Sequence, residues 1–440
     1  MPTRNFAPAS ITLLILLLLT SAHLPAAHAE NWPQWRGPSG NSHSSETNLP
    51  TKWSESENVT AKIGLPLSGS STPAIWNNSI FLTVEDEGRL QLLKIDRTTN
   101  EIAWKKQVGE GTANRKTEGG SSRAPKYHNL HNMASPSPVT DGEIVIVHFG
   151  NGDIACYNFE GDQLWKKNLA QQYGGYSIWW GHANSPIIYR DLVISACMQD
   201  SLADLQDDPV RSYVVAYDRL TGSEVWFTPR MTEATSEECD AYTTPVIRNT
   251  PDGTELVIMG GNQLDAYDPE TGKQLWKVTG LVGGRTITGP TVAEGFVYST
   301  VGMRGDLNAV RTEKGTNEID ANIVWTYDNN TPDTCCSVVV DNMLFMVSDN
   351  GIASCLNSQS GELHWRHRLG GDFKSSPLYA DGHIYFLNKS GVCTVVEAAP
   401  EYREISENKL DDEFLASPAV SDGQIFLRGK QTLYVIGERN

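Results

Sequence analysis

Residues Asp268–Trp276 read DPETGKQLW, and cousins of this phrase recur along the chain. DRLTGSEVW closes at Trp226, FEGDQLW at Trp165 and SQSGELHW at Trp365. An aspartate that bonds its own backbone, followed by a glycine that accepts positive φ, is turn chemistry. The tryptophan after each turn falls on the next strand, where a large flat ring fills space between neighbouring sheets. The phrase therefore reads as architecture. Trp104, Trp165, Trp226, Trp276, Trp325 and Trp365 share one structural role, and the recurrent aspartate is a turn residue, not a general base.

Upstream of each phrase the unit opens on a small-polar pair and usually a proline, as in SSPLYADGHIYFLNKSG from Ser375 and ASPAVSDGQIFLRGK from Ala416. Eight openings fall at Pro73, Ser137, Pro186, Pro245, Pro290, Ser337, Pro377 and Pro418, with Ser137 and Ser337 where the others have proline. Short Val/Ile/Phe-rich runs between Gly, Asp and Asn turns signal antiparallel strands, and no long segment keeps a helical period. Four short strands per unit, repeated eight times, predict an all-β fold: an eight-bladed β-propeller of four-stranded antiparallel blades. A solenoid needs shorter units, and a sandwich does not need eight copies. The last unit stops after QTLYVIG without an outer strand, which would leave a raw edge. The segment ENVTAKIGLPL (Glu57–Leu67) is predicted to supply that strand, with Ala61 in the tryptophan slot. Blade seven uses EYREISENKL (Glu401–Leu410) for its outer strand and has no tryptophan.

Residues 1–29 read as a cleavable Sec-type leader: Arg4, then the apolar run Ile11–Leu19, then AHA at Ala27–Ala29. Cleavage is expected near Ala29, giving a periplasmic or secreted protein with a lead-in at 30–56 and one propeller domain at 57–440. No later segment is apolar enough for a transmembrane span, no lipobox cysteine follows the cleavage point, and a monomer is expected. The formal net charge of −18 repels phosphate backbones and argues against nucleic acid as a partner. The seven cysteines show no metal-type spacing. Cys156 and Cys355 occupy a slot filled elsewhere by Ala216 and Ala266, and read as small core residues. The acidic insert MQDSLADLQDDPVRS (Met198–Ser212) reads as a solvated excursion rather than a calcium site.

These repeats resemble the pyrroloquinoline-quinone-like (PQQ-like) β-propeller repeat, whose signature is a YDxxTGxxxW turn. The opening NWPQWRGPSGN (Asn31–Asn41) with LPTKW (Leu49–Trp53) is similar to that of exported PQQ-like propellers of planctomycete-type bacteria. The resemblance spans essentially the whole mature chain and fixes fold more strongly than function. Its repeat class includes quinoprotein dehydrogenases and the propeller lipoprotein of the outer-membrane β-barrel assembly machinery. It implies PQQ with Ca²⁺ as one cofactor expectation.

The openings line one mouth of the central channel, and the residues preceding them share that rim: His128, His131, Trp180, His182, Asp240, Tyr242 and Arg285. The loops between second and third strands add Arg304, Lys389 and Arg428, and Cys335 with Cys336 opens blade six there. Aromatic, imidazole and guanidinium groups on one concave mouth suit an anionic or aromatic ligand; the competing reading is hydrated loops around a water-filled channel. His131 and His182 lie in adjacent blades, yet spacing does not show that their nitrogens converge, and no metal is assigned. Cys335–Cys336 is open between a vicinal disulfide, implied by the quinoprotein resemblance, and two free thiols. Three functions follow. The favoured one is a non-catalytic exported module binding an envelope protein, glycan or small ligand. The others are a PQQ-dependent oxidoreductase acting on an alcohol or sugar, and an outer-membrane assembly scaffold.

Overall fold

The computed structural model describes residues 30–65, 68–111, 130–199, 211–315 and 319–438, together with 1, 2 and 128. Residues 3–29, which hold most of the expected leader, and 200–210 of the acidic insert lie outside the described residues. Eight four-stranded antiparallel sheets form the ring. Blade four shows the plan: Val246–Thr250, Gly253–Gly260, Gln263–Tyr267 and Gln274–Thr279, each paired with the next. Inner strands are buried on both faces, as Met343–Val347 is, whereas the outer strand Leu363–Arg368 buries only Trp365. That contrast follows from stacking, because only the outermost strand faces water along its length. Among the described residues no helix is long and apolar enough to cross a membrane.

The tryptophan phrase works as an inter-blade latch. Trp165, Trp226, Trp276, Trp325 and Trp365 sit opposite Cys156, Ala216, Ala266, Ala309 and Cys355, and a register shift follows each pair. The small partner and the bulge aim each indole at the next blade. There Gly222 and Gly272, at φ +68° and +70°, leave room that a methyl could not: an added Cβ would lie 2.7 Å from Trp165 and 2.5 Å from Trp226. The indole N–H groups of Trp165, Trp226 and Trp325 donate to backbone carbonyls of Arg219, Pro269 and Ser358 in the following turn. Asp268 holds its turn by accepting the N–H groups of Glu270 (2.8 Å) and Thr271 (3.2 Å). Trp276 is buried with no N–H partner among the described residues. It faces blade five, whose outer strands Leu307–Lys314 and Ile319–Tyr327 run past the point where other blades turn. Burial pushes Cys156 and Cys355 up to about 12, so both stay protonated thiols beside their tryptophans.

The ring closes as expected. Val59–Gly64 pairs antiparallel with Thr432–Ile436, with Ala61 opposite Val435 and Ile63 opposite Leu433. Blade eight is thus built from both ends of the propeller, and blade seven ends on Glu404–Lys409.

One register reading needs correction. The opening residue of blade two is Pro138, not Ser137: the amide of Thr72 donates to Ser137 Oγ and the amide of Ser137 to Ser185 Oγ. Ser137 is therefore equivalent to Thr72, Ser185 and Ser376, the residues before proline, and only Ser337 departs from the pattern. The doubled Ser-Pro of SPSP (Ser135–Pro138) hid this one-residue slip.

The lead-in crosses the ring on the face opposite the openings. Trp32 pairs with Ile75 of blade one, Pro33 accepts from Thr140 of blade two, and Asn41 brackets Val292 of blade five. Ser42 and Ser44 bond Tyr379 of blade seven, and Glu46 accepts the amides of Asp422 and Gly423 in blade eight. Gly37, at φ +78°, makes the turn under the Trp32 ring, where a Cβ would come within 2.7 Å. The channel is consequently closed at one end, not open throughout.

Candidate functional site

The residues before the openings form a belt around the channel. Each hydroxyl accepts an amide from the preceding blade: Ser137 from Thr72, Ser185 from Ser137, Thr244 from Ser185, Ser376 from Cys336 and Ser417 from Ser376. The pattern breaks at blades five and six, where Gly289 and Cys336 stand in the hydroxyl position. Arg36 fills that gap from below. Its guanidinium donates to the carbonyls of Pro290 (2.9 Å) and Ser337 (2.8 Å), to Thr291 Oγ1 (2.7 Å) and to Ser42 Oγ (3.1 Å). Only 1% exposed and with no carboxylate partner among the described residues, it has its pKa lowered by desolvation, opposed by nearby Cys336. Trp35 packs beside Gly289, where a Cβ would lie 3.3 Å from the ring.

Above this floor is a cup of about 550 Å³ lined from all eight blades. Aromatic and imidazole groups gather on one side. Trp180 meets His128 edge-on at 5.3 Å, and His131 faces Tyr242 at 6.5 Å. Asp240 lies behind this wall: it accepts the amide of Trp179 (3.0 Å) and faces the Tyr242 hydroxyl at 3.4 Å, and so holds the aromatic loop in place. The opposite side carries paired charge. Arg285 contacts Asp333 at 3.1 Å and Glu237 at 3.8 Å; Lys374 contacts Asp349 at 2.6 Å and Asp372 at 3.1 Å.

The histidines are neutral near pH 7. Burial lowers His131 to about 4 and His182 to about 3, with backbone bonds to Gly181 and Asn184 respectively opposing. His128 is also lowered, by burial and by the Arg285 and Lys374 charges. His182 does not reach the cup. Its Nε2 lies 3.1 Å from both His148 Nδ1 and the Asn184 carbonyl, and His148 in turn meets Ser195 Oγ at 2.9 Å and the Tyr176 hydroxyl at 3.1 Å. His131 Nδ1 is taken by Ser135 Oγ at 2.6 Å, so the two rings do not aim at a common metal.

Of the expected rim residues, the structure brings His131, Trp180 and Arg285 to the cup, with His128 and Tyr242. Arg304 is exposed outside it at φ 64°. Lys389 pairs with Glu413 at 3.4 Å on the outer rim. Arg428 is buried between blades eight and one, donating to the carbonyls of Ser71 (3.0 Å) and Thr83 (3.0 Å), and burial lowers it to about 9. Cys335 and Cys336 are unbonded thiols, fully buried behind the wall. Sequence reasoning missed Trp35, Lys374, Asp333 and Glu237. Applying the same pre-opening rule to blades six and seven reaches Asp333 in PDTCCS and Lys374 in FKSSP; nothing local marks Trp35 as a floor.

Fold and cup together define a PQQ-like β-propeller with a one-ended central cavity. The chain belongs to the family described as outer membrane protein assembly factor BamB, whose repeat matches residues 54–203, 210–338 and 322–401. A BamB of Moranella endobia is 26% identical over 204 residues, 40% of this chain and 48% of the relative, and one of Yersinia pestis is 24% identical over 210 residues, 42% and 50%. The chain spans about half the length of these curated relatives. Among solved structures, BamB from Moraxella catarrhalis superposes with a TM-score of 0.59 at 14% identity, over 86% of this chain and 99% of that one. A quinohemoprotein alcohol dehydrogenase from Comamonas testosteroni gives 0.66 at 12% identity, over 93% and 81%. Identities this low speak to fold alone.

Proposed function

We propose that this protein is a non-catalytic binding module of the periplasm or cell exterior, exported by its leader, with its ligand seat in the cup. One observation carries this reading: both cations at the cup are already matched by carboxylates, and its imidazoles are held neutral among aromatic rings and hydroxyls. Such a wall suits recognition of a ligand by shape and hydrogen bonding. Its makeup moves the expectation away from an anionic ligand. A scaffold role in outer-membrane assembly is the second reading, favoured by the description of the matched family.

The residues do not fit a calcium-bound quinone. Asp333 and Asp349 are engaged by Arg285 and Lys374, and the adjacent cysteines lie behind the wall. Among the described residues no three His, Cys, Asp or Glu side chains gather as a metal-binding group. Titration of the purified mature chain with PQQ and Ca²⁺, followed by absorbance and dye-linked turnover on alcohols and sugars, tests the reading. It predicts no saturable uptake; stoichiometric binding with turnover overturns it.

A further inference from the structure

We propose that the cup takes an uncharged carbohydrate, the end of a glycan chain, seated over Trp35 and against Trp180 and Tyr242; this rests on the binding-module reading. Three features of the wall converge on that chemistry. First, the floor and one side are aromatic, and the C–H faces of a sugar ring pack on such surfaces. Second, the hydroxyls of Ser137, Ser185, Thr244, Ser376 and Ser417 each spend oxygen lone pairs on a backbone amide, so each O–H remains to donate. These donors line the cup at blades two, three, four, seven and eight. Third, Arg285 beside Asp333 offers a donor and an acceptor side by side, the complement of a vicinal diol.

Other ligand chemistries fare worse against the same wall. An anion must pull Arg285 or Lys374 from its carboxylates, against a chain of net charge −18. An apolar ligand dehydrates the hydroxyl belt without offering it acceptors. A polyol satisfies belt and aromatic wall together. The volume of about 550 Å³ falls within the range of roughly 300–1,000 Å³ usual for small-ligand sites.

Calorimetric and fluorescence titration of the mature protein against neutral oligosaccharides, with uronate-containing and sulfated counterparts as controls, tests this. Two variants accompany it: Trp180→Ala, which removes the side wall, and Ala183→Trp, which fills the cup without deleting a polar contact. The expected result is saturable binding of a neutral sugar, weakened about tenfold or more in both variants at unchanged melting temperature. A blank neutral panel, tighter binding of the charged counterparts, or equal affinity in the Ala183→Trp protein overturns the carbohydrate assignment. Failure here leaves the module reading standing if the PQQ titration is also negative and a mouth-directed cross-link forms with a protein. PQQ uptake with turnover removes both.

Discussion

The indole N–H of Trp226 reaches the Pro269 carbonyl at 3.1 Å, whereas that of Trp276 has no acceptor among the described residues. Trp226→Phe should therefore cost about 1 kcal/mol more than Trp276→Phe, the worth of one hydrogen bond. Chemical denaturation of the pair checks the difference, and equal losses would mean the bond is idle. Histidines set the acid limit. His131 and His182 drop to about 4 and about 3 in the folded state from a value of 6.5, so unfolding takes up protons in that window. Their stabilisation is complete above pH 6.5 and declines as pH falls towards 4 and then 3. Melting temperature should fall from pH 7 to 4, with a shallower slope in His182→Asn; a flat wild-type profile over that range contradicts the assignment. At this scale legibility follows sequence distance. The Asp-turn-Gly-Trp latch could be read because Asp268, Gly272 and Trp276 lie within nine residues. Arg36 could not, since its partner Pro290 is 254 positions away.

Elements were legible wherever repetition supplied a template. Strand order, the tryptophan slot and the closing strand at Val59–Gly64 all come from aligning the chain with itself. A chain starting after Gly64 should expose Thr432–Ile436 as an open edge and self-associate, visible as early-eluting species in size-exclusion chromatography. A clean monomer from that truncation would show that closure is dispensable. The lead-in occurs once, so self-alignment says nothing about where it packs. Replacing Arg36 by methionine strands the Pro290 carbonyl inside the ring and leaves the Ser337 carbonyl with the Thr291 hydroxyl alone. Loss of about 1–3 kcal/mol is expected for that unpaired group. Thermal unfolding unchanged in Arg36→Met would mean the plug adds nothing to the ring.

At the level of the whole molecule the two faces are unequal. One is sealed by the lead-in and fringed by turns such as that at Glu270; the other opens into the cup. The sequence located this mouth but overstated its positive charge, because Asp333 and Glu237, which match Arg285, come from neighbouring loops that no motif links. It also assigned Arg428 to the rim, although the side chain turns inward to bind the chain entering blade one. The proposed recognition accordingly belongs to a single face. Photo-cross-linking in cells tests this directly, with a benzophenone amino acid placed at Trp180 in the mouth or at Glu270 on the sealed side. The account predicts a discrete adduct from position 180 and none from position 270. Adducts from position 270 alone, or equally from both, would contradict it.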